Sequence, residues 1–255
     1  MLMTFSFRED FDSFEPTNSL EIDSASTVRS KPKDEKIHIF AEKLRVPRFE
    51  DHVSRPRLDE LFCKTLHQIG AMLVTGRAGT GKTALASHCS GSYDETFWFR
   101  VEAADNDWKT FSSYLSAMLK VPLSEKTETD VSLFVENLFS ELGQFEKTSP
   151  RLIVFDDVHN VFDADWFSEF FHTALFSLTS ETHLIFLSRS KPPFPLWRLR
   201  SKQVLSVVDE KILAFDESET KIFCKKLGLS ARQTQKILKE SYGRIGKLKT
   251  LAESV

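Results

Sequence analysis

Residues 71–85 read AMLVTGRAGTGKTAL, and this stretch decides the fold. Its first four residues are apolar and predict a short buried strand, and residues 83–88 predict a helix. Between them, residues 76–83 match the pattern G-x-x-x-x-G-K-[S/T] at every fixed position. A strand, a glycine-rich loop and a helix in this order form the context in which the pattern binds a phosphate chain. The stretch therefore predicts a phosphate-binding loop rather than a chance glycine-rich turn.

The chemistry of such a loop gives its positions expected roles. Glycines allow backbone N–H groups to turn inward around phosphates, and the following helix N-terminus adds partial positive charge. Lys82 is expected to reach the β- and γ-phosphates, and the Thr83 hydroxyl is expected to bind Mg²⁺. The predicted nucleotide-binding set of the loop is Gly76, Arg77, Ala78, Gly79, Thr80, Gly81, Lys82, Thr83 and Ala84.

A second signal lies at residues 151–157, which read RLIVFDD. An apolar run followed by two acids predicts a central parallel strand that ends in carboxylates. At this position Asp156 is expected to hold Mg²⁺, through water, and Asp157 to polarise an attacking water as general base. A plain strand with an acidic turn is the alternative, and the phosphate loop upstream favours the magnesium site.

A third strand is predicted at residues 182–189, which read THLIFLSR. Ligands of open α/β sheets lie at the carboxyl ends of the strands, so Arg189 is expected to contact the γ-phosphate. A surface arginine in an ion pair is the alternative. The candidate catalytic residues are therefore Lys82, Asp157 and Arg189.

Composition limits the classes of function. The net charge of −3 over 255 residues gives no overall basic surface for nucleic acid. The local cluster Arg198, Arg200 and Lys202 predicts a solvated helix face, with a nucleic-acid contact as the alternative. Three widely spaced cysteines fit reduced core thiols in a cytoplasmic protein, and no apolar run reaches the length of a membrane helix.

The chain divides into three predicted parts. Residues 1–36 are polar and mixed in charge and lack a helical or strand period, which predicts a flexible arm. Residues 37–212 predict the α/β domain, whose first helix is expected to have Ser54 as its cap. Residues 213–255 predict a small helical lid that opens with a capping box from Asp216 to Glu219.

With these residues in place, the chain resembles the STAND class of P-loop NTPases, in particular the nucleotide-binding region of the MalT-like, large LuxR-type transcriptional regulators. The resemblance runs from about Glu42 to the end of the chain. Many families share the phosphate loop, whereas the other matching segments are more specific. These segments are Lys43-Leu44-x-x-Pro47, Val53-Ser54-Arg55, Asp105-Asn106-Asp107, Phe155-Asp156-Asp157-Val158-His159 and Ser188-Arg189-x-x-Pro192-Pro193-x-Pro195-Leu196-x-x-Leu199-Arg200.

The resemblance implies a three-layer α/β/α P-loop NTPase fold, AAA+/STAND-like, followed by a helical lid. It implies an ATP/ADP switch that hydrolyses ATP slowly with Mg²⁺ and acts in transcription regulation. The bound nucleotide would set whether the protein is closed and monomeric or open and self-assembling. By position, Arg55 would lie beside the adenine and ribose, and Arg189 would sense the γ-phosphate. The family's sensor and DNA-binding segments do not follow within these 255 residues, so a truncated regulator or a separate sensor or DNA-binding partner is expected.

Two other functions compete with the switch. The lid turn Tyr242-Gly243-Arg244-Ile245 lacks the proline typical of the family, and Arg244 is a candidate lid arginine of the kind found in AAA+ ATPases. An AAA+-like helper or loader ATPase acting on nucleic acid or a partner protein is therefore the first alternative. The second is a module that binds nucleotide only for stability, against which the pair Asp156 and Asp157 argues.

Overall fold

Five parallel strands form the centre of the computed structural model, which describes residues 37–49, 53–122, 129–144 and 150–254. The strands lie in the order β2-β3-β4-β1-β5. Their bounds are β1 Ala71–Thr75, β2 Glu95–Arg100, β3 Arg151–Asp156, β4 Thr182–Ser188 and β5 Ser206–Val208. Each neighbouring pair is parallel, so all carboxyl ends meet at one edge of the sheet. The predicted parallel α/β sheet is confirmed.

Helices cover both faces of this sheet. Their bounds are α1 Pro56–Ile69, α2 Lys82–Ser90, α3 Trp108–Leu119, α4 Val131–Gln144, α5 Phe167–Phe176, α6 Trp197–Ser201 and α7 Glu210–Leu213. Alternate strand residues point to opposite faces. Leu73, for example, packs with α3, α4 and α5, whereas Met72 and Val74 pack with α1 and α2. The result is a three-layer core with the sheet buried in the middle.

Three further helices follow the sheet and share a small core of their own. They are α8 Glu217–Lys226, α9 Ala231–Ser241 and α10 Ile245–Glu253. Phe215, Phe223, Cys224, Ile237 and Leu248 form this core. The capping box predicted at the start of α8 is confirmed, because the Glu219 N–H donates to Asp216 and the Asp216 N–H donates to Glu219, at 2.8 and 3.0 Å. The division into domains at residue 213 stays a prediction.

Several local expectations were wrong. Ser54 does not cap α1: the cap position is Arg55, which makes no side-chain capping bond, and Pro56 opens the helix because its missing N–H needs no partner there. The residue pattern also predicts a last strand at residues 203–208, but strand β5 begins at Ser206, since Gln203 has a φ of 55° that a strand does not accept. All three cysteines are free, but Cys63 is exposed and only Cys224 is buried.

Two further expectations concern segments rather than single elements. The predicted flexible arm, residues 1–36, lies outside the described residues. Within the described ranges, no helix combines the length and the apolar character that crossing a membrane requires.

Candidate nucleotide site

The phosphate loop joins the end of β1 to the start of α2. Gly79 and Gly81 have φ values of 76° and 87°, a region in which a residue with a Cβ is strained. The Gly76 N–H donates to the Ser188 carbonyl at 3.1 Å and so ties the loop to the end of β4. The other predicted binding residues lie in the same loop or in the first turn of α2: Arg77, Ala78, Thr80, Lys82, Thr83 and Ala84.

The Lys82 side chain lies buried inside this loop. Its Nζ donates to the carbonyl oxygens of Gly76 and Arg77, at 2.6 and 3.2 Å. Burial lowers the pKa of Lys82, and the carboxylates of Asp157 and Asp156 oppose that shift. The ammonium group thus stands at the centre of the loop, on acceptors that a phosphate oxygen can replace.

Thr83 and Asp156 come together at the end of β3. The Thr83 Oγ1 lies 3.2 Å from Oδ1 of Asp156, as the sequence predicted for a shared magnesium site. Burial, aided by the charge of Asp157, raises the pKa of the Asp156 carboxyl to about 6. A neighbouring cation would offset this cost, and a hydroxyl beside a carboxylate is an oxygen donor set that suits Mg²⁺.

No larger metal cluster exists in the described residues. Groups of three or more His, Cys, Asp or Glu side chains suited to a metal are absent there. Mg²⁺ in nucleotide sites is usually held by one or two protein oxygens together with the phosphates. The pair Thr83 and Asp156 is an oxygen donor set of the size that such a nucleotide-dependent magnesium site uses.

Asp157 and Arg189 meet beside the magnesium pair. Asp157 follows β3 with a φ of 56°, a strained conformation for a residue with a Cβ. Arg189 follows β4, and its Nε lies 3.4 Å from Oδ1 of Asp157. His159, to which the sequence analysis assigned no role, places Nδ1 3.7 Å from the same carboxylate, and burial lowers its pKa. Parallel strands bring these residues to one edge of the sheet. The rule that ligands lie at the carboxyl ends of the strands predicts this edge, but not which side chains pair there.

A cavity of about 470 Å³ opens on the other side of the loop. Its walls combine loop residues with apolar side chains from the segment before α1 and from the C-terminal helices. They include Phe49, Arg55, Gly81, Ala84, Phe215 and Ile245. Largely apolar walls with a few polar groups are typical of sites for flat ligands. The cavity is continuous with the loop residues Gly79 and Gly81, so one ligand can occupy both.

Arg55 lies in the wall of this cavity, but most of its donors are already used. Its Nη1 and Nη2 donate to the carbonyls of Leu213 and Ala214, at 2.8 and 2.9 Å, and Nη2 also donates to Glu219 at 2.8 Å. The guanidinium carbon lies 3.9 Å from the centroid of the Phe215 ring. The Arg55 Nε is buried and has no hydrogen-bond partner in the described structure. Sequence reasoning did not find the Glu219 contact, because 164 positions separate the two residues.

Glu210 joins the loop to the C-terminal helices. Its carboxylate accepts from Arg77 Nε and Nη2, at 3.0 and 2.8 Å, and Oε1 lies 3.0 Å from Arg244 Nε. Next to it, the Gly246 N–H donates to the Gly79 carbonyl at 2.9 Å. The phosphate loop is therefore contacted directly by the residues that start α10. Neither Glu210 nor Gly246 stood out in the sequence, since neither belongs to a phosphate-binding pattern.

The comparisons with known proteins agree with this geometry. Residues 65–189 match the family model described as an AAA domain. The chain is 29% identical over 187 residues to the HTH-type transcriptional regulator MalT of Serratia proteamaculans (strain 568). That match covers 69% of this chain and 20% of MalT, so the chain spans about a fifth of the length of this relative.

Two solved structures are similar in fold. The Walker-type ATPase PABY2304 of Pyrococcus abyssi shares 12% identity over 81% of this chain and 68% of its own, with a TM-score of 0.50. The Orc1 protein of Aeropyrum pernix, solved in complex with DNA, shares 14% identity over 75% of this chain and 55% of its own, with a TM-score of 0.48. The phosphate loop, the strand-end acids and the parallel sheet together form a P-loop NTPase fold, and the chain is similar to the AAA domain over residues 65–189 and to MalT.

Proposed function

We propose that the chain is an ATP-binding regulatory module that hydrolyses ATP slowly with Mg²⁺. The observation that carries the proposal is the contact between Gly79 of the phosphate loop and Gly246 of α10, at 2.9 Å. A loop that is bonded to the C-terminal helices passes any change at the phosphates to them directly. A nucleotide that binds the two arrangements with different affinity would then shift their populations.

The binding roles follow from the side chains at the loop. Lys82 exchanges the carbonyls of Gly76 and Arg77 for phosphate oxygens, and the N–H groups at the start of α2 add further donors. The base would enter the 470 Å³ cavity, whose walls include the apolar side chains of Phe215 and Ile245 beside Arg55. These contacts support the predicted role of Arg55 beside the nucleoside.

Thr83 and Asp156 would hold Mg²⁺, which supplies neutralisation of phosphate charge when it is bound. Asp157 would orient the attacking water and accept its proton, and Arg189, 3.4 Å away, would turn to the γ-phosphate when that group arrives. In the structure the two residues form an ion pair with each other. A charge pair that must separate before catalysis is consistent with slow hydrolysis.

A role in signal-dependent transcription regulation is the finer part of the proposal. It is supported by the similarity to MalT, which is a transcriptional regulator by name. A separate sensor or DNA-binding partner would complete this role. Nucleotide-dependent self-assembly, with ATP and ADP favouring different states, completes the proposed switch.

The test measures binding of fluorescent ATP to the full chain with Mg²⁺, the rate of phosphate release, and molar mass by light scattering in ADP and in ATP. Lys82→Ala should lose nucleotide affinity, and Asp157→Asn should bind ATP but hydrolyse it about 10²–10⁴-fold more slowly. The exposed residues Lys64 and Asp165 provide matched controls, Lys64→Ala and Asp165→Asn. Unchanged turnover in Asp157→Asn would remove Asp157 from the base role, and an unchanged molar mass in both nucleotides would refute the assembly switch.

A further inference from the structure

Two aromatic side chains stand exposed where α5 ends and α6 begins. Phe176 is 58% exposed and Trp197 is 59% exposed. They border a surface groove of about 430 Å³, which also includes Phe194, Pro195, Arg198 and Lys202. The nucleotide site uses none of these residues, so the groove has no role yet in the proposed switch.

Each exposed ring has a cation beside it. The Arg198 guanidinium carbon lies 5.2 Å from the Trp197 ring centroid, and the Lys202 Nζ lies 5.9 Å from the Phe176 ring centroid. Neither cation has a carboxylate within ion-pair distance in the described part of the chain, and no acid from those residues lines the groove. Uncompensated charge next to exposed aromatic surface favours an anionic partner with flat apolar groups.

The groove is held rigidly from below. Leu199, between the two cations in sequence, is buried against the sheet core, and Phe194 packs on the same core. Phe194 also lies 6.0 Å from Phe167 and 5.4 Å from Phe171 of α5, centroid to centroid. The backbone that carries Trp197 and Arg198 is thus fixed on the core by its buried neighbours Phe194 and Leu199, which lowers the entropy cost of binding.

We propose that this groove binds single-stranded nucleic acid. A single strand repeats one flat base and one phosphate per nucleotide, and the groove repeats one aromatic ring and one cation. Bases stack on aromatic side chains while phosphates meet Arg and Lys, without a requirement for sequence. A duplex hides its base faces and fits the groove poorly. Of the three basic residues at positions 198–202, Arg198 and Lys202 line the groove and Arg200 does not.

The test measures binding by fluorescence anisotropy. Three labelled probes are each titrated with the full chain: a 20-nucleotide oligo(dT), a 20-nucleotide oligo(U) and a duplex of equal length. Trp197→Ala and Phe176→Ala should each weaken single-strand binding about tenfold. Arg198→Gln and Lys202→Gln should each reduce the slope of log K against log salt by about 0.7. A preference for dT or U identifies DNA or RNA as the source of the strand.

Matched controls lie outside the groove. Phe40, 59% exposed, and Lys226, exposed in α8, give the variants Phe40→Ala and Lys226→Gln, which should bind single strands like the parent chain. Thermal unfolding of every variant confirms its fold. Equal affinity in groove and control variants, duplex binding as tight as single-strand binding, or binding of a labelled acidic aromatic peptide in place of both oligonucleotides would overturn the proposal. Because the titrations contain no ATP, the outcome is independent of the proposed switch.

Discussion

The Gly246 N–H donates to the Gly79 carbonyl at 2.9 Å, which places the start of the last helix directly on the phosphate loop. The close contact depends on the missing side chain of Gly246: a Cβ there would lie 3.1 Å from the Gly79 oxygen and 3.3 Å from its Cα. The predicted phosphate loop and the last helix therefore touch through their main chains.

Gly246→Ala should detach the start of α10 from the loop. The added methyl group would lie 3.1 Å from the Gly79 oxygen, so the loop and α10 must move apart by a few tenths of an ångström, which weakens the hydrogen bond to Gly79 at a cost of up to about 1 kcal/mol. Amide hydrogen exchange across α10 should accelerate about fivefold, while the sheet amides stay protected. Gly143→Ala in α4 is the control, since its methyl group has no neighbour nearer than 3.8 Å. Equal exchange in both variants would show that the contact does not hold α10.

Gly243→Ala should destabilise the C-terminal helices strongly. Gly243 has a φ of 72°, and a Cβ there would lie 2.5 Å from the Phe215 oxygen and 2.9 Å from its nitrogen. Strain in the left-handed region costs about 1–2 kcal/mol, and the clash adds to it. The Phe215 N–H would also lose its 2.7 Å bond to the Gly243 carbonyl.

Gly228→Ala measures the cost of the left-handed backbone conformation without the steric clash that Gly243→Ala adds to it. Gly228 has nearly the same φ, 71°, but no atom within 4 Å of its would-be Cβ. Urea unfolding should therefore give a loss of about 1–2 kcal/mol for Gly228→Ala and a clearly larger loss for Gly243→Ala. If the two losses were equal, the packing of Gly243 against Phe215 would not contribute.

Glu210→Gln should tighten ATP binding. The carboxylate pairs with Arg77 and Arg244 and competes with phosphates for them, whereas glutamine keeps an acceptor without the charge. Since the Arg77 side chain is 63% exposed, the pairing is screened, and we expect a Kd about two- to fivefold lower at low salt. Glu217→Gln, which removes an exposed acid paired with Lys221, is the control. A weaker affinity in Glu210→Gln would mean that the ion pairs shape the site rather than oppose the ligand.

Glu219→Gln should lower stability at neutral pH, and the loss should shrink in acid. Burial raises the pKa of Glu219, but the hydrogen bonds from Arg55 and the Asp216 backbone outweigh burial and hold that pKa below its usual range. The ionised form therefore stabilises the fold above about pH 4.5, and this contribution is lost as pH falls through the folded pKa. Removal of one partner of a buried pair costs about 3 kcal/mol.

Urea unfolding between pH 7 and pH 3.5 checks this dependence. The difference in unfolding free energy between the parent chain and Glu219→Gln should stay large down to about pH 4.5 and become smaller below that pH. If the difference in unfolding free energy were the same at every pH, the charge of Glu219 would contribute nothing to stability, and only the shape of its side chain would matter.

The sequence predicted the parts of the site that a local pattern specifies. The loop, Thr83 and the two acids after β3 follow from motif and strand position, and the structure places Thr83 and Asp156 3.2 Å apart. Apolar runs likewise predicted the central strands, because strands covered on both faces must be apolar throughout.

What the sequence did not predict depends on contacts between distant positions. The position of Arg55 near the nucleoside was expected, but its bonds to Leu213, Ala214 and Glu219 were not, since carbonyl acceptors leave no trace in composition. Glu210 is one acid among many on the chain, and only the docking of α10 gives it a second arginine. The wrong prediction of Ser54 as the cap of α1 has the same origin. Serine is locally preferred at a cap position, but the buried Arg55 occupies that position here.

The hydrogen bonds from Arg55 and Arg57 to the main chain have a consequence for protein engineering. Between them they bind the carbonyl oxygens of residues 212–214 and the Glu219 carboxylate. Carbonyls are present whatever the side chain, so these hydrogen bonds do not depend on the side chains of residues 212–214, although Leu213 is also buried in the core. A chimaera that carries the C-terminal helices of another protein keeps these particular bonds if it has the same backbone path and an acid at position 219. The joint between sheet and helices is therefore a ready point for recombination.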